Sequence, residues 1–135
     1  MSDDEEFSGR VMEEARQVGL KERTTDYARR IIRLYRSLPK DIVPQTLGKQ
    51  LLRSGTSVGA NFREAIRGRS TPEFIAKVGD SLRELDESAY WLELLAEEPG
   101  LPASRFAPLR EETDELIAIF VTVLLNAKKE KHPLR

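Results

Sequence analysis

The side chains that most often carry chemistry are scarce in this chain. Among its 135 residues there is one histidine and no cysteine. Without thiols there is no disulfide, cysteine zinc site, iron–sulfur cluster or thiolate nucleophile. His132 sits in a lysine-rich tail beside Pro133, where a solvated terminal residue is expected rather than a ligand or base. The carboxylate neighbours Asp86 and Glu87, or Asp114 and Glu115, would point about a hundred degrees apart on a helix and so do not converge as acid and base. A di-iron bundle needs inward glutamates and two Glu-x-x-His motifs, and no histidine falls within an expected helix. A helical ribonuclease with an Arg-x4-6-His pattern would need an arginine where Leu125, Asn126 and Ala127 stand. An enzyme using serine or asparagine with carboxylates would lack a base to activate the hydroxyl. No glycine-rich phosphate loop follows a strand, because no segment reads as a strand. The residues therefore point to a non-enzymatic protein with no cofactor and no metal.

What the chain does specify is helices. Hydrophobic residues make up 39% and charged residues 33%, with only 8 glycines and 7 prolines, which excludes a disordered tail, a collagen or a glycine-rich barrel. The length suits one domain. From Thr25, the residues Tyr27, Ile31, Leu34, Tyr35 and Leu38 form an amphipathic stripe that Pro39 stops. Pro44 suits the first turn of a second helix with Leu47, Leu51, Val58, Phe62 and Ala65 on one face, closed near Gly68. Ser70-Thr71-Pro72-Glu73 reads as a capping box opening a third helix. Its core face is Phe74, Val78, Leu82, Leu85, Ala89, Leu92 and Ala96, and Pro99-Gly100 ends it. A fourth helix starts between Ser104 and Pro108, acidic at its beginning and lysine-rich at its end, as the helix dipole favours.

Short loops make these helices alternate in direction, so the expected fold is all-α, an antiparallel up-down-up-down four-helix bundle over residues 23–131. Residues 1–22 are expected to be a loosely ordered acidic extension in which Phe7, Val11, Met12 and Ala15 form at most a short helix, and 132–135 a tail. The acidic start lacks a secretory pattern and no apolar run reaches ~18 residues, so a cytoplasmic protein without a membrane partner is expected.

Three features exceed what a plain bundle requires. The second helix carries a small and polar run, with Arg53, Ser54, Gly55, Ser57, Gly59 and Asn61 as its motif. Gly48, Gly55 and Gly59 share one side, and each costs about 1 kcal/mol relative to alanine unless close packing compensates. Ser54 and Asn61, at the edge of the core face, are expected to hydrogen-bond across helices. The third and fourth helices hold surplus apolar residues, notably Tyr90, Trp91, Leu94 and Leu95, together with Ile117, Ile119, Val121 and Leu125, which suggests contact with another protomer. Charge is segregated too. Residues 23–69 hold 11 Lys+Arg against 3 Asp+Glu, whereas residues 70–127 hold 4 against 12. Arg29, Arg33 and Arg36, with Arg30 beside them, line the first helix opposite its apolar face. They read as solvated charges, as a nucleic-acid backbone site, or as a docking face for the acidic hairpin of a neighbouring copy.

The run Leu51-Leu52-Arg53-Ser54-Gly55-Thr56-Ser57-Val58-Gly59-Ala60-Asn61, then Glu64-Ala65 and Tyr90-Trp91-Leu92-Glu93-Leu94-Leu95, resembles the four-helix bundle family of 23S rRNA intervening-sequence proteins over about residues 24–130. That family includes the accessory variability protein of diversity-generating retroelements, a barrel-like pentamer that binds reverse transcriptase and nucleic acid. The resemblance implies the bundle and a homopentamer, and extends the possible partners to RNA, DNA or a reverse transcriptase. The near-neutral charge and acidic N-terminus depart from the strongly basic retroelement branch.

Overall fold

The structure is a computed structural model that describes residues 19–131. The first helical signal at Phe7 to Ala15 and the His132 tail lie outside the described residues. Four helices are arranged in chain order: α1 (Leu20–Arg36), α2 (Ile42–Ile66), α3 (Thr71–Ala96) and α4 (Ala107–Lys131), with a 3-10 turn at Ala103–Arg105 leading into α4.

Helix α1 starts at Leu20 rather than Thr25, so the boundary expected at residue 22 moves. Leu20 and Thr24 are fully buried and continue the stripe of Tyr27, Ile31 and Leu34. A threonine at a core position interrupts the apolar periodicity. Its hydroxyl is satisfied locally by donating to the Leu20 carbonyl at 2.7 Å. The predicted cap of α3 forms in modified register: Ser70 Oγ accepts from the Glu73 N–H at 3.3 Å, while Glu73 Oε2 accepts from the N–H of Arg69 at 2.5 Å.

Cross-helix contacts fix the topology. Ser54 meets Ser88, Ser81 Oγ donates to the Val58 carbonyl, and Lys77 pairs with Glu64. Residue numbers rise along α2 as they fall along α3, so the two are antiparallel. The same holds for α1 and α2, through Tyr35–Gln45 and Arg63–Thr25, and for α1 and α4, through Tyr27–Thr113 and Arg23–Glu115. The bundle is therefore up-down-up-down. Phe62 of α2 and Phe120 of α4 meet edge to face across its centre, with ring centroids 5.5 Å apart.

The glycine face of α2 is where α1 packs. A Cβ on Gly48 would meet Leu38 Cδ1 at 2.5 Å, one on Gly55 would meet Ile31 Cγ1 at 2.9 Å, and one on Gly59 would meet Thr24 Oγ1 at 3.2 Å. The helix-propensity cost of these glycines is thus offset by close interhelical contact within the chain.

Candidate interaction surfaces

A layer of hydroxyls crosses the core and draws on all four helices. Tyr27 of α1 shares a 2.6 Å hydrogen bond with Thr113 of α4, and Ser54 of α2 shares one of 2.7 Å with Ser88 of α3. Burial pushes the Tyr27 phenol up to about 12, opposed by its polar contacts with Thr113 and Ser88. Thr113 and Ser88 also donate to carbonyls one turn back, at 2.7 and 2.8 Å. Such a satisfied polar layer holds the helices in register, because sliding one helix would strand its hydroxyl in an apolar core. It offers no nucleophile and base pair. Among the described residues no group of histidine, cysteine, aspartate or glutamate side chains is placed to hold a metal ion.

The α2 motif divides between core and surface. Ser54 is buried and bonded across to α3 as expected. Asn61 is not: it lines an open groove with Asp80, Arg83, Glu84 and Glu87 and makes no cross-helix hydrogen bond among the described residues. It sits on the outer rim of the α2–α3 seam, among charged α3 side chains instead of in the core. Ser57 donates to the Arg53 carbonyl at 2.7 Å, within its own helix. Arg53 reaches over to Glu84 at 3.1 Å and to Glu87. That pairing holds the Glu87 carboxyl below its usual range, chiefly through the hydrogen bond from Arg53.

Part of the segregated charge is consumed in this way inside the chain. At the other seam Arg23 clamps Glu112 through two hydrogen bonds of 2.8 and 2.7 Å and reaches Glu115 at 2.7 Å. The hydrogen bond from Arg23 holds the Glu112 carboxyl below the ordinary carboxylate range, against the opposing effect of burial. The basic and acidic hairpins are therefore stitched to each other within one copy. What this leaves over is specific. Arg29, Arg33 and Arg36 are exposed and Arg30 half-buried on the outer side of α1, with no ion pair to any described residue.

The expected second apolar surface is present with one correction. Leu95 is fully buried: it follows Ser88 and Leu92 by the four-and-three spacing of the core stripe, and belongs to the monomer's own core. Tyr90 is 53% exposed, while Trp91 and Leu94 are half-buried. The Tyr90 and Trp91 rings lie 5.0 Å apart. The indole lies close enough to Glu87 to help hold that carboxyl low, and Trp91 Nε1 is buried with no well-formed hydrogen bond to a described residue. On α4, Val121 and Leu125 are 37% and 60% exposed, and Ile117 and Ile119 are half-buried.

Ile42 and Val43, 80% and 45% exposed at the start of α2, were not anticipated as surface apolar residues. They stand beside Pro44, outside any periodic stripe, and the consecutive apolar pair was their one sequence signal. No helix among the described residues is long and apolar enough to cross a membrane.

These features have relatives. The sequence pattern of the 23S rRNA-intervening sequence protein family matches residues 16–122. A crystal structure of a protein of unknown function from the S23 ribosomal protein family of Bacteroides thetaiotaomicron is 34% identical, covering 77% of this chain and 96% of that one with a TM-score of 0.70. No curated protein matches. The match spans α1, α2, α3 and most of α4, including the α2 glycine face and the Tyr90-Trp91 pair, and the chain belongs to the 23S rRNA-intervening sequence protein family.

Proposed function

We propose that this protein is a non-enzymatic, homo-oligomeric helical scaffold or adaptor, assembled as a pentameric ring. The observation that carries the reading is the Tyr90-Trp91 pair on the outside of α3: one ring is 53% exposed, and the other is half-buried 5.0 Å from it. Surface-accessible Tyr and Trp are the residue types that anchor protein interfaces. Val121, Leu125, Ile42 and Val43 add apolar area that a monomer leaves in water. The number five rests on the resemblance to the pentameric retroelement accessory protein. The test is the mass of the full chain in solution, with Trp91→Glu alongside. The variant is expected to dissociate, since an unpaired charge at an apolar contact is costly. Unchanged mass in the variant removes this corner from the interface.

A second reading has its own observation. Arg29, Arg33 and Arg36 form an exposed cationic stripe with no ion pair to a described residue, which suits the phosphate backbone of RNA or DNA. Binding of that kind is sequence-independent, micromolar at best near physiological salt, and weakens steeply as salt rises. Changing all three arginines to glutamate is expected to abolish it without loss of helicity, and equal binding by the triple variant excludes the stripe.

A further inference from the structure

The outer faces of α1 and α3 carry matched patterns. On α1, Arg29, Arg33 and Arg36 follow one another by four and three residues. On α3, Asp86, Tyr90 and Glu93 do the same, and all six side chains are exposed. At 1.5 Å per residue, each stripe is about 10 Å long. None of the six forms an ion pair with a described residue, although acidic and basic groups along both seams of the bundle are paired. Tyr90 and Glu93 also border a groove between α3 and α4 whose other charged lining residues are Arg110 and Asp114, neither in an ion pair with a described residue.

Building on the oligomeric reading, we infer that the arginine stripe of one copy docks on the Asp86-Tyr90-Glu93 stripe of the next. Two guanidinium groups would meet the two carboxylates, and Arg33 would lie over the Tyr90 ring, the planar cation on an aromatic face. The contact is heterologous, because α1 of one copy meets α3 of its neighbour. A two-fold arrangement would instead set one stripe against its own copy, placing like charges together.

The geometry also gives successive copies a turn. Helices α1 and α3 occupy diagonal corners of the bundle, and the arginines point directly away from the core. The acidic stripe does not: Glu93 and Tyr90 lean toward α4, whose Arg110 and Asp114 share their groove. Copies joined through these two faces therefore rotate progressively instead of stacking in a straight line, which is the condition for ring closure.

The test is a charge swap measured by light scattering on the full chain, with far-UV circular dichroism confirming helicity. The double variants Arg29→Glu/Arg36→Glu and Asp86→Arg/Glu93→Arg are each expected to raise the concentration at which the assembly dissociates by at least about tenfold. The chain carrying all four substitutions is expected to recover the wild-type mass, whether the helices meet parallel or antiparallel. Two results would overturn the inference while leaving oligomerisation in place: an assembled wild type that neither double variant weakens, and a four-substitution chain that fails to recover. Loss of RNA binding on reversing the arginines, with the mass unchanged by either double variant, would assign the stripe to nucleic acid instead. A monomeric wild type would refute the oligomeric reading itself.

Discussion

Two helical glycines in this chain should respond oppositely to the same substitution. Gly55 and Gly79 both lie well inside helices, α2 and α3, and alanine is favoured over glycine at such positions by about 1 kcal/mol. Their surroundings differ. A Cβ at Gly79 meets nothing within 4 Å, whereas one at Gly55 falls 2.9, 3.1 and 3.2 Å from three carbons of Ile31. Ile31 is fully buried, and its branched Cβ leaves it little rotamer freedom to retreat. Overpacking of this kind costs about 1–3 kcal/mol. Gly79→Ala is therefore expected to stabilise by about 0.5–1 kcal/mol, and Gly55→Ala to be neutral or to destabilise by up to about 2 kcal/mol. Urea denaturation followed by circular dichroism, at one fixed protein concentration, measures both. Ile31→Ala should cost about 1 kcal/mol less in the Gly55→Ala background than in the wild type, because it removes the clashing carbons. Equal stabilisation by the two glycine substitutions would show that α1 does not press on α2 as described.

Other expectations are as direct. Tyr27→Phe should destabilise by about 1 kcal/mol, since Thr113 loses its cross-helix partner while keeping its bond to Leu109; an unchanged urea midpoint would contradict the buried layer. Because the folded-state phenol is raised to about 12, it favours the fold at neutral pH and that contribution fades as pH climbs from the ordinary tyrosine value toward 12; Tyr27→Phe should flatten this alkaline limb of stability. At the acid side the sign reverses. Glu112 is held below its ordinary value by Arg23, so its contribution is present above the unfolded-state pKa and lost as pH falls through the lowered one; Glu112→Gln should make stability less dependent on pH in that window.

The helices were legible because each carries its own apolar stripe and its own punctuation, as Ser70-Thr71-Pro72-Glu73 and Pro39 illustrate. Close packing on the glycine face of α2 was legible as well, since three costly residues on one side require close contact to justify them, but which helix supplies it was not: α1 does so through Ile31 and Thr24. Partnerships between distant segments were not. Arg23 with Glu112 and Arg53 with Glu87 are separated by 89 and 34 residues, and nothing in local periodicity says which carboxylate an arginine will reach. Leu95 was misplaced for a related reason: near the end of a strongly apolar helix, several phases of the stripe fit, and only the neighbouring helices decide which is inside. Asn61 failed at the margin, because a position on the edge of the apolar face can fall either into the seam or onto its charged outer rim. The Arg29-Arg33-Arg36 stripe was visible from the start, but its availability became apparent only once the other charges had found their partners.

The central claim is assembly, and the most direct measurement is the absolute mass of the purified full-length protein at micromolar concentration by light scattering. The account predicts a single species with the mass of five 15.4 kDa chains, shrinking as salt is raised. A sharp species at 15.4 kDa would contradict the scaffold reading, and a clean dimer would contradict the ring.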